Sequence, residues 1–254
     1  MGGQENSVTE KRKKRFIPSY AYSSAIICCS ICSALYFVTK YMGIGEPHNI
    51  ESSLDKMIPF VPFWSSIYLL CYLFWAFNAI LTAREGKETW FKFVAAYVLA
   101  ELFCNIVYIV YPTTMPRPEV TGGGIFNWLM MIIYRADLPY NLLPSLHCML
   151  SWLVTRYLIG SKKVPKWYQA ASVINCLLIF LSTLFTRQHV IIDIITGVLV
   201  AEAAAFTAER TGLHLKFRDV FEKLDDKLIK KFCSNKNHSI NSKSDDGEKR
   251  ENEQ

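Results

Sequence analysis

The chain has 254 residues, 51% of them hydrophobic and 14% aromatic, and a formal net charge of +6. The apolar residues gather in blocks of about 18–20, the length that crosses a bilayer as a helix, which excludes an ordinary soluble domain. The bases sit at the termini and in short loops, as membrane topology requires, so the positive charge does not signal nucleic acid.

Residues 1–19 form a polar segment containing KRKKR at 11–15. Gly2 is followed by Asn6 where a myristoylation signal wants Ser or Thr. The first apolar run is too long for a signal peptide and lacks a small-residue cleavage site. Six spans are expected within one membrane domain over 20–208: Tyr20–Val38, Pro62–Leu81, Phe93–Tyr111, a short one from Leu146 to Ile159, Tyr168–Phe185 and Val190–Ala208. Pro and Gly keep most of the 112–145 connection from being helical. Within it, IFNWLMMIIY (125–134) is too short to cross and is expected to lie in the interface. Residues 209–233 carry Phe217, Val220, Phe221, Leu224, Leu228 and Phe232 at helical spacing opposite a charged face, the pattern of an amphipathic helix. The polar tail, 234–254, is expected to be disordered. No internal repeat is evident.

Charge orients the chain. Six spans put both termini on one side, with KRKKR, Arg84, Lys87, Lys92, Lys162, Lys163 and Lys166. The opposite loops hold Lys56, Arg117, Arg135 and Arg187. The positive-inside rule then places the termini in the cytoplasm and PRP, PSLH and TRQH on the non-cytoplasmic face. The eight cysteines are scattered, mostly within apolar runs. Cys29 and Cys32 have C-x-x-C spacing but no second pair to complete a zinc site, so packing is expected.

Three polar motifs share that outer face. His189 and Asp193 are four apart at the start of the last span, so the carboxylate can orient one imidazole nitrogen and free the other as base or nucleophile. Pro144 breaks the chain before Ser145 and His147, where a helix N-terminus with a hydroxyl can bind an anion and an imidazole can protonate a leaving oxygen. Arg117, between Pro116 and Pro118, suits bidentate phosphate binding. Taken singly, each has a bland alternative: a structural His–Asp pair, an N-capping serine, an arginine at lipid headgroups. Together they are the parts of a phosphoryl transfer that needs no metal and no cofactor. Zinc ligation by His147, His189 and Asp193 is the alternative, and it leaves Arg117 and Ser145 without a role. Glu101, Arg156 and Glu202 lie within spans and should face the bundle interior, as structural pairs or as a transporter's proton path.

The order PRP, PSLH, S-x6-H-x3-D, with Ser182, His189 and Asp193, resembles the type 2 phosphatidic acid phosphatase superfamily over roughly 60–208. YPTTMPR, LPSLH and STLFTRQHVIID are most similar to the branch with inositol phosphorylceramide synthases and, more distantly, sphingomyelin synthases. The resemblance implies an all-α, six-transmembrane-helix bundle with an acid phosphatase/haloperoxidase-like core. It implies that His189 forms a phosphohistidine, Asp193 orients it, and His147 protonates the leaving alcohol and later activates the acceptor. Arg117 and Ser145 would hold the phosphate. Two family cations are replaced, by Val110 and Thr183, which favours a singly charged phosphodiester and hence a transferase, or else a looser phosphatase; Arg187 is the candidate replacement for one of the two. The expected function is a lipid phosphate phosphatase or phosphotransferase acting on a phospholipid or sphingolipid. A headgroup transferase as sole activity and a non-catalytic lipid-binding or transport protein are the alternatives. No protein partner is indicated.

Overall fold

The computed structural model describes residues 16–40, 42 and 44–230. KRKKR and the polar tail expected over 234–254 lie outside the described residues. In chain order the elements are α1 (Ser19–Thr39), β1 (His48–Asn49), α2 (Trp64–Glu85), α3 (Lys87–Val110), β2 (Thr113–Thr114), α4 (Ile125–Ala136), α5 (Leu146–Arg156), α6 (Lys166–Phe185) and α7 (Ile191–Arg210). A further helix, α8, covers 213–230. Among the described residues the fold is all-α apart from two two-residue strands, which pair in parallel through His48 with Thr113 and Asn49 with Thr114.

Among the described residues, five helices, α1, α2, α3, α6 and α7, are long and apolar enough to cross a membrane. The chain is an integral membrane protein. The expected fourth span, α5, has only 11 residues, roughly 16 Å of helix against a hydrocarbon core of about 30 Å. The turn that follows it reaches the α2–α3 end of the bundle, where Ser161 Oγ donates to Glu85 Oε1 (2.5 Å). Large side chains such as Leu73, Phe103, Leu199 and Phe206 are exposed on the outer faces, where lipid is their natural solvent.

Lipid tails are as apolar as leucine, so helix association in a bilayer depends on close packing. α3 and α7 meet that demand with small residues. Ala95, Ala96 and Ala100 on α3, and Ala201, Ala205 and Ala208 on α7, are fully buried. Gly86 alone joins α2 to α3, at φ +151°, a conformation that suits a residue without a Cβ. The span charges find partners. Arg156 on α5 donates to Glu202 (3.0 Å) and Glu209 (2.9 Å) on α7, and Trp152 also donates to Glu202. Glu101 receives Asn105 Nδ2 at 3.4 Å.

α4 has 12 residues, too few to cross. It buries Met130 and Ile133 near Tyr68 of α2 and leaves Ile125 and Trp128 exposed. α8 docks on the bundle: Phe221 is buried, with Phe217 and Leu224 packed against the main core. Val220 and Leu228, from the same apolar pattern, remain exposed.

The 44–63 connection folds over the ends of α6 and α7. Its Val61 N–H donates to Phe185 O (2.9 Å). Asp55 accepts from the Ile191 N–H at the start of α7 (2.8 Å) and from Ser52. This is the end of the bundle where α3 stops and α5 and α7 begin.

Candidate active site

α5 and α7 present their N-termini side by side, and each carries one histidine. The α6–α7 turn sets the second. Arg187 takes a left-handed conformation (φ +52°), and the Thr183 carbonyl accepts from both Gln188 N (2.9 Å) and His189 N (3.1 Å). Asp193 then acts twice. Its Oδ2 accepts from Val190 N–H (2.9 Å), capping α7, and lies 3.1 Å from His189 Nδ1. With Nδ1 engaged, Nε2 is the free nitrogen.

His147 is the second residue of α5. Its ring centroid lies 5.9 Å from that of His189 and 4.5 Å from that of Tyr68. Tyr68 Oη approaches His147 Nδ1 at 3.5 Å. Trp75 closes another side at 5.4 Å. The α5 start is tied down from two directions: Tyr108 donates to Pro144 O (2.5 Å), and Ser145 N donates to Asp193 O (3.1 Å). That last bond links the two histidine helices directly.

Gly197 explains how they come so close. A Cβ there would stand 2.7 Å from Ser145 O and 3.2 Å from Met149 N. No larger residue leaves the first turn of α5 where it is.

Ser145 is fully buried, and its Oγ accepts from Cys148 N (3.3 Å) as the α5 N-cap. Its oxygen serves the helix, while its hydroxyl proton remains available for donation. Arg117 Nη2 donates to Gln188 Oε1 (2.6 Å) and Nη1 to Asp137 O, with the guanidinium 4.8 Å from the Tyr134 ring centroid. Burial pulls the Arg117 pKa downward, though a guanidinium stays charged at neutral pH. Gln188 adjoins His189 in the chain, so Arg117 is tied to the turn that carries His189.

Arg187 is held by the 44–63 connection. Its Nη1 donates to Asp55 O (2.6 Å) and its Nη2 is paired with Glu51. The left-handed turn that aims His189 sends Arg187 the other way, into the 44–63 connection. Both its forked ends are engaged there, with Asp55 O and Glu51. Val110 is 66% exposed on the outside of α3. Thr183 is buried and donates to Phe180 O (2.7 Å).

A mostly apolar cavity of about 600 Å³ opens onto the histidines. Asp137, Asn141, His147 and His189 line one end, and Ser24 and Trp90 the other. Trp90 to Tyr108, both lining it, spans roughly 27 Å of α3 at 1.5 Å per residue. Among the described residues, no group of three or more His, Cys, Asp or Glu side chains is placed to hold a metal ion.

Several site residues escaped the sequence. Tyr68, Trp75, Tyr108 and Asn141 come from distant segments and carried no local signal. Gln188 stood inside TRQH beside the histidine, and that adjacency was a usable clue.

No curated protein matches the chain. The family model described as PAP2 superfamily matches residues 33–207, which takes in α2 through most of α7 and every residue of the histidine site. The chain belongs to the PAP2 superfamily.

Proposed function

We propose that the protein cleaves or transfers the phosphate-bearing headgroup of a membrane lipid through a covalent phosphohistidine at His189. The observation that carries this is the His189–Asp193 pair (3.1 Å) facing His147 at the polar end of a long apolar cavity. A lipid fits that shape, with its phosphate at the histidines and its tails among α1, α2 and α3.

His189 Nε2 attacks phosphorus, forming a P–N bond as the bond to the leaving oxygen breaks. His147 gives its proton to that oxygen. Asp193 stabilises the imidazolium and fixes its tautomer. Arg117 and the Ser145 hydroxyl hold non-bridging oxygens. In the second half, water or an alcohol attacks phosphorus, the P–N bond breaks, and His147 takes the incoming proton. Water gives a phosphatase, and a lipid or polyol alcohol gives a phosphotransferase. The neutral residues at 110 and 183 favour a diester substrate and transfer, in keeping with the resemblance of LPSLH and STLFTRQHVIID to the inositol phosphorylceramide synthase branch. Charge bias supports cytoplasmic termini and a site on the non-cytoplasmic face.

The test is phosphate release and headgroup exchange over a lipid panel that includes phosphatidic acid, with His189→Ala alongside. Turnover lost in the variant is expected, and the product distinguishes hydrolysis from transfer. Equal turnover by both proteins removes His189 as nucleophile.

A further inference from the structure

Among the described residues, six buried side-chain polar atoms find no hydrogen-bond partner: Ser23 Oγ, Arg117 Nε, Asn141 Nδ2, His147 Nε2, Gln188 Nε2 and Asp193 Oδ1. All but Ser23 belong to the histidine end of the bundle. Folded proteins pair nearly all such atoms, so their concentration in one place points to a ligand. Four of the five are nitrogens that can donate, the complement of an oxyanion.

Two of the four come from neutral amides. Gln188 is 1% exposed. Its Oε1 is fixed by the bond from Arg117 Nη2, so the amide cannot be turned round, and Nε2 is the end left to donate. Asn141 is 5% exposed and lines the cavity with both histidines. Its backbone is held at φ +59°, with its N–H on Thr113 O (3.0 Å), a conformation that asparagine tolerates well. Two other cations near this end are occupied. Arg187 is bound to Glu51 and Asp55 O, and Lys40 is paired with Asp137 at 3.4 Å.

We propose that Asn141 and Gln188 are phosphate-binding residues whose side-chain N–H groups, beside Arg117 Nε, donate to the non-bridging oxygens. This rests on the phosphoryl chemistry proposed above only for the identity of the anion. The donor set carries one guanidinium and two neutral amides. It matches a single negative charge, that of a phosphodiester. A second charge, as on a phosphomonoester, would enter a buried site without a counter-charge, which is costly.

The test uses the full-length protein in detergent with orthovanadate as the probe, read by thermal stabilisation. Gln188→Glu keeps the acceptor for Arg117 and replaces the free donor with an anionic oxygen. Gln188→Met removes the amide at similar length. Asn141→Asp is isosteric, and Asn141→Gly keeps the left-handed backbone. Each is expected to raise the vanadate concentration for half-maximal stabilisation by about 10-fold or more, with the vanadate-free melting temperature near wild type in all but Gln188→Met, which also removes the acceptor for Arg117 Nη2. Folded variants that bind vanadate like wild type overturn the assignment, as does a wild type that vanadate leaves unstabilised. Lipid turnover on the same proteins separates this from the enzymatic proposal. Vanadate binding lost in the variants, with no lipid turned over by wild type, leaves the anion site standing without the enzyme. His189-dependent turnover that all four variants retain sinks the amide assignment alone.

Discussion

Gly197→Ala is the most direct perturbation of the proposed catalytic geometry, because it touches neither histidine. Gly197 lies on α7 one turn beyond Asp193, against the first turn of α5. Its new methyl would meet Ser145 O at 2.7 Å, Met149 N at 3.2 Å and Cys148 Cβ at 3.4 Å. The two nearest atoms belong to backbone, and Ser145 O already accepts from Met149 N at 2.9 Å, so neither can swing aside. Ordinary contact requires the helices to part by roughly 0.5–1 Å. Overpacking of this kind costs about 1–3 kcal/mol. The displacement also separates His147 from His189 and strains the Ser145 N to Asp193 O bond (3.1 Å) that joins their helices. A misplacement near 1 Å lowers turnover by about 100-fold. The expected result is a lower melting temperature in detergent and lipid turnover reduced by about 10- to 100-fold. Gly123→Ala, where a Cβ meets nothing within 4 Å, is the control and should match wild type. Wild-type kinetics and stability in Gly197→Ala would refute the claim that this contact sets the spacing of the histidines.

Asp55→Ala should destabilise the protein by about 1–2 kcal/mol, the loss of a helix cap, measured by thermal unfolding. Burial alone would raise the Asp55 pKa, but hydrogen bonds from Ser52 and Ile191 and the nearby Arg187 outweigh it and hold the carboxyl below its ordinary value. A depressed folded pKa contributes stability that is present above the unfolded value and lost as pH falls through the folded one; Asp55→Asn should therefore flatten part of the acid limb of a stability–pH curve. Arg187→Gln leaves the Glu51 carboxylate, whose side chain is 5% exposed, without its counter-charge. A loss of about 3 kcal/mol is expected, with vanadate binding near wild type, and a large drop in vanadate affinity would return Arg187 to the phosphate. Arg156→Ala removes the counter-charge of Glu202 and Glu209, which keep donors in Trp152 and Tyr157, and should cost about 1–3 kcal/mol in unfolding experiments, with Arg156→Lys recovering only part, because one ammonium cannot reproduce the guanidinium fork.

Apolar block length was enough to find the bundle. The five long helices fall within a few residues of the expected spans, since an 18-residue apolar run has few alternatives in a bilayer. The short α5 was legible for the same reason, as was the His189–Asp193 pair: residues four apart on a helix meet by geometry alone. Those are local relations, carried by spacing along one element.

What the sequence could not decide is what depends on direction and on contact between distant segments. Arg187 and Gln188 are neighbours in TRQH, yet one left-handed residue sends the arginine to Glu51 and the glutamine to Arg117. A polar letter in a motif does not say which way its side chain leaves the turn. Gly197 reads as one more small residue in an apolar span, and only the packing of α7 on α5 gives it a role. Asn141, Tyr68 and Tyr108 reach the site from three separate segments. The sequence by itself determined the membrane helices and the His189–Asp193 pair at the start of α7, because both follow from periodicity within a single element. The tertiary structure decided which donors surround that chemistry, because their convergence depends on helix contacts that no short stretch of chain encodes.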